Sequence, residues 1–232
     1  MITFSGRKGH GKNTAADLTE EILNIDRTFG DVRQTAFAGL IRNQVCDMFG
    51  VPYKDYDSFK RKQFRSPSGH FVVEGRDLVR EIGMLMRSYD KDQFVDYVQK
   101  QILLQAHYGL PDGNSAMLVT DVRFDNELCA LRDLNGRETQ NIEGGLVEIE
   151  WVPMYVDHPD LPDQGDGHIT EALTLDKLKA ESTHPQGVAH LVNNGSKLHL
   201  QEQIRTALIR ADVSTDNFIQ QVKSMFSNVW VK

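Results

Sequence analysis

Apolar residues recur along the chain in two rhythms, short continuous runs and stripes at helical spacing, and the two alternate. Ile2-Thr3-Phe4-Ser5 reads as a short strand that breaks at Gly6. From about Asn13 a helical stripe follows, carried by Ala15, Leu18, Ile22 and Leu23. A second strand is expected at 34–38 and a helix through Val45 and Met48. Two further helices are expected at 75–89 and 92–108, the second with Phe94, Val98 and Ile102 spaced four apart. The run 116–120 reads as a buried strand ending in Asp121. Helix signals resume at Asp125, an N-cap candidate, and stop at Asn135-Gly136. Strands at 146–152 and 189–192 and a helix at 197–210 complete the pattern. Strands alternating with helices predict an α/β fold with a mostly parallel central sheet covered on both faces.

Two stretches fit neither rhythm. Residues 52–69 are polar, basic and aromatic, punctuated by Pro52, Pro67 and Gly69, and read as a surface excursion. Residues 157–167 are rich in Asp, Pro and Gly and read as a loop. In the tail, Phe218, Val222, Met225, Phe226 and Val229 share one helical face, suited to core packing or to a partner.

Composition narrows the function more than the fold. The chain has 232 residues with 26 Lys and Arg against 33 Asp and Glu, a formal charge of -7. That balance excludes a general binder of nucleic-acid polymers or of membrane surfaces, which needs a basic excess. It leaves room for a local basic cleft holding a small anion. Two cysteines, Cys46 and Cys129, are too few for a disulfide framework, so a reducing cytoplasm is expected. No apolar leader core opens the chain and no segment reaches the length of a membrane span.

The chemistry begins at Gly6-Arg7-Lys8-Gly9-His10-Gly11-Lys12, between the first strand and the first helix. Gly, four residues, then Gly-Lys is the P-loop spacing. Glycines there let successive N–H groups turn inward on phosphate oxygens, while the helix that follows presents its positive end. Lys12 supplies a charge that can track a transferring phosphoryl group. Asn13 stands where most P-loops carry a hydroxyl, and Thr14 supplies one a position later. Thr14 is therefore expected at an inner phosphate or at magnesium. His10 is expected to point outward from the loop.

A P-loop site also needs an acid at the tip of a neighbouring strand, for the metal or its waters. Asp121 fits, and Arg123 and Glu127 follow it. A strand-end turn residue is the plainer alternative for Asp121. On the helix at 75–89, Arg76, Arg80, Gly83 and Arg87 fall at i, i+4, i+7 and i+11, a single stripe about 16 Å long. Either this stripe clamps the phosphate of an acceptor, as bidentate guanidinium geometry favours, or it is a solvated face paired with Asp77 and Glu81. Under the first reading Gly83 marks the close approach of a ligand or another backbone.

Six separated segments then agree: GRKGHGKNTAA at 6–16, TAFAGL at 35–40, GRDLVREIGMLMR at 75–87, VTDVRFDNE at 119–127, GHITE at 167–171 and VNNGS at 192–196. In this order the chain resembles the bacteriophage deoxynucleoside monophosphate kinases, a branch of the P-loop nucleotide kinases. The resemblance runs from residue 1 to about 210 and leaves the tail after Ala211 outside it. It implies a single P-loop kinase domain over 1–232, with a helical acceptor-binding insertion at about 40–108 and a lid-like loop at about 153–171. It further implies ATP and Mg2+ as cofactors, a deoxynucleoside monophosphate as acceptor, and a homodimer. The place of action would be the cytoplasm, that of the host for a phage-encoded chain.

Carried over by motif, Gly6, Gly9, His10, Gly11, Lys12, Asn13 and Thr14 would bind ATP, with Asn194 and Gly195 near its adenine. Thr14 and Asp121 would sit at the metal. Lys12, Asp121, Arg123 and Arg76 would serve catalysis. Arg76, Arg80, Arg123, Glu127, Asp166, His168 and Glu171 would surround the acceptor. The loop at 157–171 carries no arginine, so transition-state charge would fall to Arg7, Lys8, Arg76, Arg80 or Arg123. Trp151 is either core or a stacking surface for the acceptor base. Two other functions stay open: another small-molecule P-loop kinase, similar to dephospho-coenzyme A kinases, and a nucleotide-binding module without turnover.

Overall fold

All four residues of the first strand are buried, which suits a short apolar run at the centre of a sheet. The computed structural model describes residues 1–26, 29–65, 69, 72–108, 114–161, 176–178 and 188–211. In chain order its elements are β1 (Ile2–Ser5), α1 (Lys12–Asp26), β2 (Phe29–Ala36), α2 (Gly39–Phe49), a 3-10 turn (Tyr53–Asp55) and α3 (Tyr56–Lys60). Then come β3 (Gln63–Arg65), β4 (Val72–Glu74), α4 (Gly75–Tyr89), α5 (Gln93–Tyr108), β5 (Asn114–Val122) and α6 (Asp125–Leu134). The last are β6 (Arg137–Gln140), β7 (Leu146–Ile149), β8 (Val152–Asp157), β9 (Ala189–Val192) and α7 (Lys197–Arg210). The chain divides into two compact units, one of Met1–Thr35 with the residues from Gln99 onward, the other of Ala36–Val98.

The first unit is built on a five-stranded parallel sheet in the order β2-β5-β1-β8-β9, flanked by helices. Alternation along the strands sends Ile2, Phe4, Leu118, Val152, Met154 and Val156 into one core with Leu191. There they meet Ala15, Leu18, Ile22 and Leu23 of α1 and Leu200, Ile204 and Leu208 of α7. Each such side chain contributes about 1.5–3 kcal/mol by leaving water, which fixes both helices to this face. Elsewhere Gln99 donates to Ala130 O at 3.2 Å, and Gln105 to Asp31 O and Ala116 O at 3.1 Å each. These bonds tie α5 to α6 and to the strands β2 and β5.

The strand order is not sequential. The chain leaves β1 for β2, returns to lay β5 beside β1, and later places β8 on the other side of β1. Because the pairs are parallel, the loops after β1, β5, β8 and β9 all leave from one edge, where open α/β sheets bind ligands.

Three expectations change here. The second strand spans eight residues, Phe29–Ala36, rather than 34–38. The stretch at 146–152 splits: β7 pairs antiparallel with β6 in a separate ribbon, and the sheet strand is β8. The lid-like loop at about 153–171 therefore opens as a buried strand, with Met154, Tyr155 and Val156 at most 1% exposed. Pro153, a residue that ordinarily argues against a central strand, sits inside β8 opposite Thr3.

In the second unit, 52–65 is more than a surface excursion. Tyr56 and Phe59 are buried with Val45 and Cys46, and Ile41, Phe64, Val79 and Ile82 pack against them. The Phe59 ring lies 5.1 Å from Phe49 and 5.2 Å from Phe64. Among the described residues no helix is long and apolar enough to cross a membrane.

Candidate functional site

Between Ser5 and Lys12 the backbone takes three conformations open mainly to glycine: Gly6 at φ +143°, Gly9 at +83° and Gly11 at +96°. Gly6 is also pressed against its neighbour strand, since a Cβ there would stand 2.2 Å from Val156 O. The loop delivers the chain into α1, whose first turn holds no acidic residue. The positive end of that helix is thus uncompensated by an acid of its own, a setting that favours an anion. Lys12 is buried and folds back over the loop, its Nζ donating to Gly6 O at 2.7 Å and Arg7 O at 3.1 Å. Asn13 is exposed and Thr14 half-buried in the same first turn of α1. Lys8 is exposed, and Arg7 pairs with Asp176 at 3.4 Å.

The acid comes from the next strand. Asp121 has φ +74°, the sole left-handed non-glycine residue described. The pairing of β1 with β5 steps from Phe4–Thr120 to Ser5–Val122, so Asp121 is the residue the register skips. A bulge of this kind re-aims one side chain, and here it leaves Asp121 Oδ1 3.9 Å from Lys12 Nζ. Arg123 Nε donates to the same oxygen at 2.6 Å. Lys12, Asp121 and Arg123 therefore meet at one mouth. Glu127 is not part of it: it is 1% exposed, and Oε2 accepts from the N–H groups of Arg123 at 2.9 Å and Phe124 at 3.2 Å. An acceptor-binding role gives way to a helix-capping one, because that oxygen satisfies the donors that open α6.

The ends of β8 and β9 close the loop from the other side. His10 does not point outward. It is 4% exposed, with Nδ1 accepting from the His158 N–H at 3.1 Å and lying 3.4 Å from Asp157 Oδ1. Burial is the main cause that lowers its pKa; Lys12, His158 and Arg7 act the same way and Asp157 opposes them. Asp157 also reaches His190 Nε2 at 3.6 Å. Asn193 Nδ2 donates to His10 O at 3.0 Å, and the Gly195 N–H lies 3.4 Å from Asn193 Oδ1. Asn194 and Gly195 are exposed beside it. The His158 backbone N–H and the Asn193 side chain are thus the groups that fasten the glycine loop, a part sequence reasoning did not assign them; the end of the apolar run at Val156 is the local signal for the first.

The remaining candidates are placed elsewhere. Arg76 and Arg80 are exposed on α4 of the second unit. Arg80 pairs with Asp77 at 3.1 Å, the solvated arrangement, while Arg76 makes no ion pair among the described residues. Arg87 lies over the Phe94 ring at 4.3 Å. Gly83 marks the approach of a side chain, not a ligand or a backbone: a Cβ there would meet Ile41 Cδ1 at 2.7 Å. Trp151 stands just before β8, its indole N–H donating to Thr3 Oγ1 at 2.9 Å and its backbone N–H to Asn135 Oδ1. Ile2 pairs with Val152, so the Trp151 backbone lies at the sheet edge opposite the glycine loop, about 16 Å from Gly6 over five residues at ~3.3 Å each. Asp166, His168 and Glu171 lie outside the described residues. Among those described, no three His, Cys, Asp or Glu side chains gather into a group that could hold a metal ion. Comparison with models of known protein families yields no match, and comparison with curated proteins yields none either.

Proposed function

We propose that the chain is a P-loop nucleotide kinase that transfers the γ-phosphoryl group of ATP to a deoxynucleoside monophosphate, giving ADP and the deoxynucleoside diphosphate. The observation that carries this reading is the meeting of Lys12 and Asp121, 3.9 Å apart, beside a loop of three positive-φ glycines that opens a helix. The order of the sheet, with the loop strand between an acid-bearing strand and the rest, supports the same reading.

In this mechanism the loop N–H groups and the start of α1 cradle the ATP phosphates. Lys12 exchanges its carbonyl partners for phosphate oxygens. An acceptor phosphate oxygen attacks the γ-phosphorus in line, and the bond from that phosphorus to the β,γ-bridging oxygen breaks, leaving ADP. With a second pKa near 6, the acceptor phosphate is already an anion at neutral pH, so no general base is needed. Arg123 is positioned to meet charge that spreads over the transferring oxygens. Magnesium suits a site of this kind, since Mg2+ binds through one or two carboxylates plus substrate phosphates. Asp121, through the oxygen Arg123 does not take, and Thr14 would hold it, and its charge would offset that of the phosphates.

Coupled detection of ADP with each common deoxynucleoside monophosphate tests the reaction. ADP release that depends on at least one of them is expected. Release of none, with ATP bound, would instead leave a nucleotide-binding module.

A further inference from the structure

The basic, aromatic stretch after α2 holds a cation that the proposed mechanism does not use. Arg42 projects from α2 so that its guanidinium carbon lies 4.9 Å from the centroids of both Tyr53 and Tyr56. Lys60 Nζ lies 4.9 Å from the Tyr56 ring. Asp57 is an acid of this group. Its hydrogen bond to Lys60, with the charges of Lys60, Arg42 and Arg61 nearby, holds its carboxyl below the usual carboxylate range. All three cations act on Asp57, and that carboxylate is already bonded to Lys60 at 2.7 Å. Arg42 makes no ion pair or side-chain hydrogen bond among the described residues.

Cation–π contact with ring faces restrains a guanidinium without using up its N–H groups in hydrogen bonds. Much of the side-chain entropy that anion binding would otherwise cost has therefore been lost in folding. The planar fork suits two oxygens of a phosphate. Tyr53 keeps 55% of its surface exposed beside it, room for a flat apolar group. We infer that Arg42, held by Tyr53 and Tyr56, binds the phosphate of a phosphate monoester whose other end is an aromatic base. For the identity of that ligand the inference rests on the kinase reading, in which it is the acceptor nucleotide.

The test follows the Arg42 side-chain Nε–H resonance of the full-length chain while inorganic phosphate, deoxyribose 5-phosphate or a deoxynucleoside monophosphate is added. The resonance should move saturably with all three, at lowest concentration with the nucleotide. Arg42→Lys, which keeps the charge and loses the fork, should weaken nucleotide binding about tenfold or more. Tyr53→Leu should erase the advantage of the nucleotide over deoxyribose 5-phosphate. A resonance that does not move, or an Arg42→Lys protein with native circular dichroism and unchanged affinity, overturns the phosphate site. Equal affinity for inorganic phosphate and nucleotide overturns the nucleotide assignment. ADP formation on the same samples separates the two ideas. Wild-type turnover with an unaltered acceptor KM in Arg42→Lys sinks the Arg42 role alone, whereas a wild type without transfer sinks the kinase reading and leaves the titration to decide Arg42.

Discussion

Alanine at position 6 should damage the glycine loop and the sheet together. The added Cβ would stand 2.2 Å from Val156 O, more than 1 Å inside the ~3.3–3.6 Å at which carbon and carbonyl oxygen meet. That oxygen belongs to a strand paired on both sides, with Ser5 opposite Tyr155 and Val156 opposite Leu191, so it cannot retreat without disturbing a ladder. Overpacking of this kind costs about 1–3 kcal/mol. Holding a side chain at φ +143° adds about 1–3 kcal/mol of backbone strain. The sum, roughly 2–6 kcal/mol, is a large part of the ~5–15 kcal/mol that keeps a domain folded. Gly195 is the matched control: φ is +92°, and a Cβ would meet nothing within 4 Å, so Gly195→Ala should cost only the left-handed term of about 1–2 kcal/mol. Urea unfolding followed by far-UV circular dichroism, with m compared between variants, measures both. If Gly6→Ala proves as stable as Gly195→Ala, the close approach of β1 and β8 at this point is wrong.

Three further outcomes are expected. Asparagine tolerates the left-handed region and valine does not, while both lose the carboxylate that meets Arg123 and Lys12, so Asp121→Val should be about 1–3 kcal/mol less stable than Asp121→Asn in thermal unfolding; equal stability of the two variants would remove the bulge argument. Burial lowers the pKa of His10 from 6.5, so as pH falls the unfolded chain takes up that proton first. The contribution of neutral His10 is therefore complete above 6.5 and declines from there down to its folded pKa. His10→Asn, whose amide oxygen can accept the same His158 N–H, should lose less stability than wild type between about pH 7.5 and about pH 5.5, measured by thermal unfolding; an equal loss would mean His10 is not the titrating group. Trp151→Phe should cost about 1 kcal/mol for the lost bond to Thr3. It should leave acceptor KM unchanged, and a raised KM would place the indole at the substrate after all.

What was legible beforehand was what is local. The glycine loop announces itself because Gly6, Gly9, Gly11 and Lys12 lie within one turn of chain between a strand and a helix. Asp121 is readable as the end of an apolar run. Its left-handed backbone is not, because the bulge arises from pairing with a strand more than a hundred residues away. The burial of His10 depends on Asp157 and His158, which have no sequence relation to the loop. Glu127 looks like a site acid and proves to be a cap, since the donors it satisfies belong to its own turn. The stripe of Arg76, Arg80, Gly83 and Arg87 is periodic as expected, yet its members meet different things: solvent, Asp77, Ile41 and Phe94. Periodicity places residues on a face and says nothing of what that face meets.

The central claim is that Lys12 and Asp121 mark the mouth of a phosphoryl-transfer site. The most direct measurement incubates the protein with ATP labelled at its γ-phosphate and with a deoxynucleoside monophosphate, then locates the label. The account predicts label in the terminal phosphate of the deoxynucleoside diphosphate, and none from folded Lys12→Ala protein. Label that stays in ATP for every acceptor, or that moves equally well without Lys12, contradicts it.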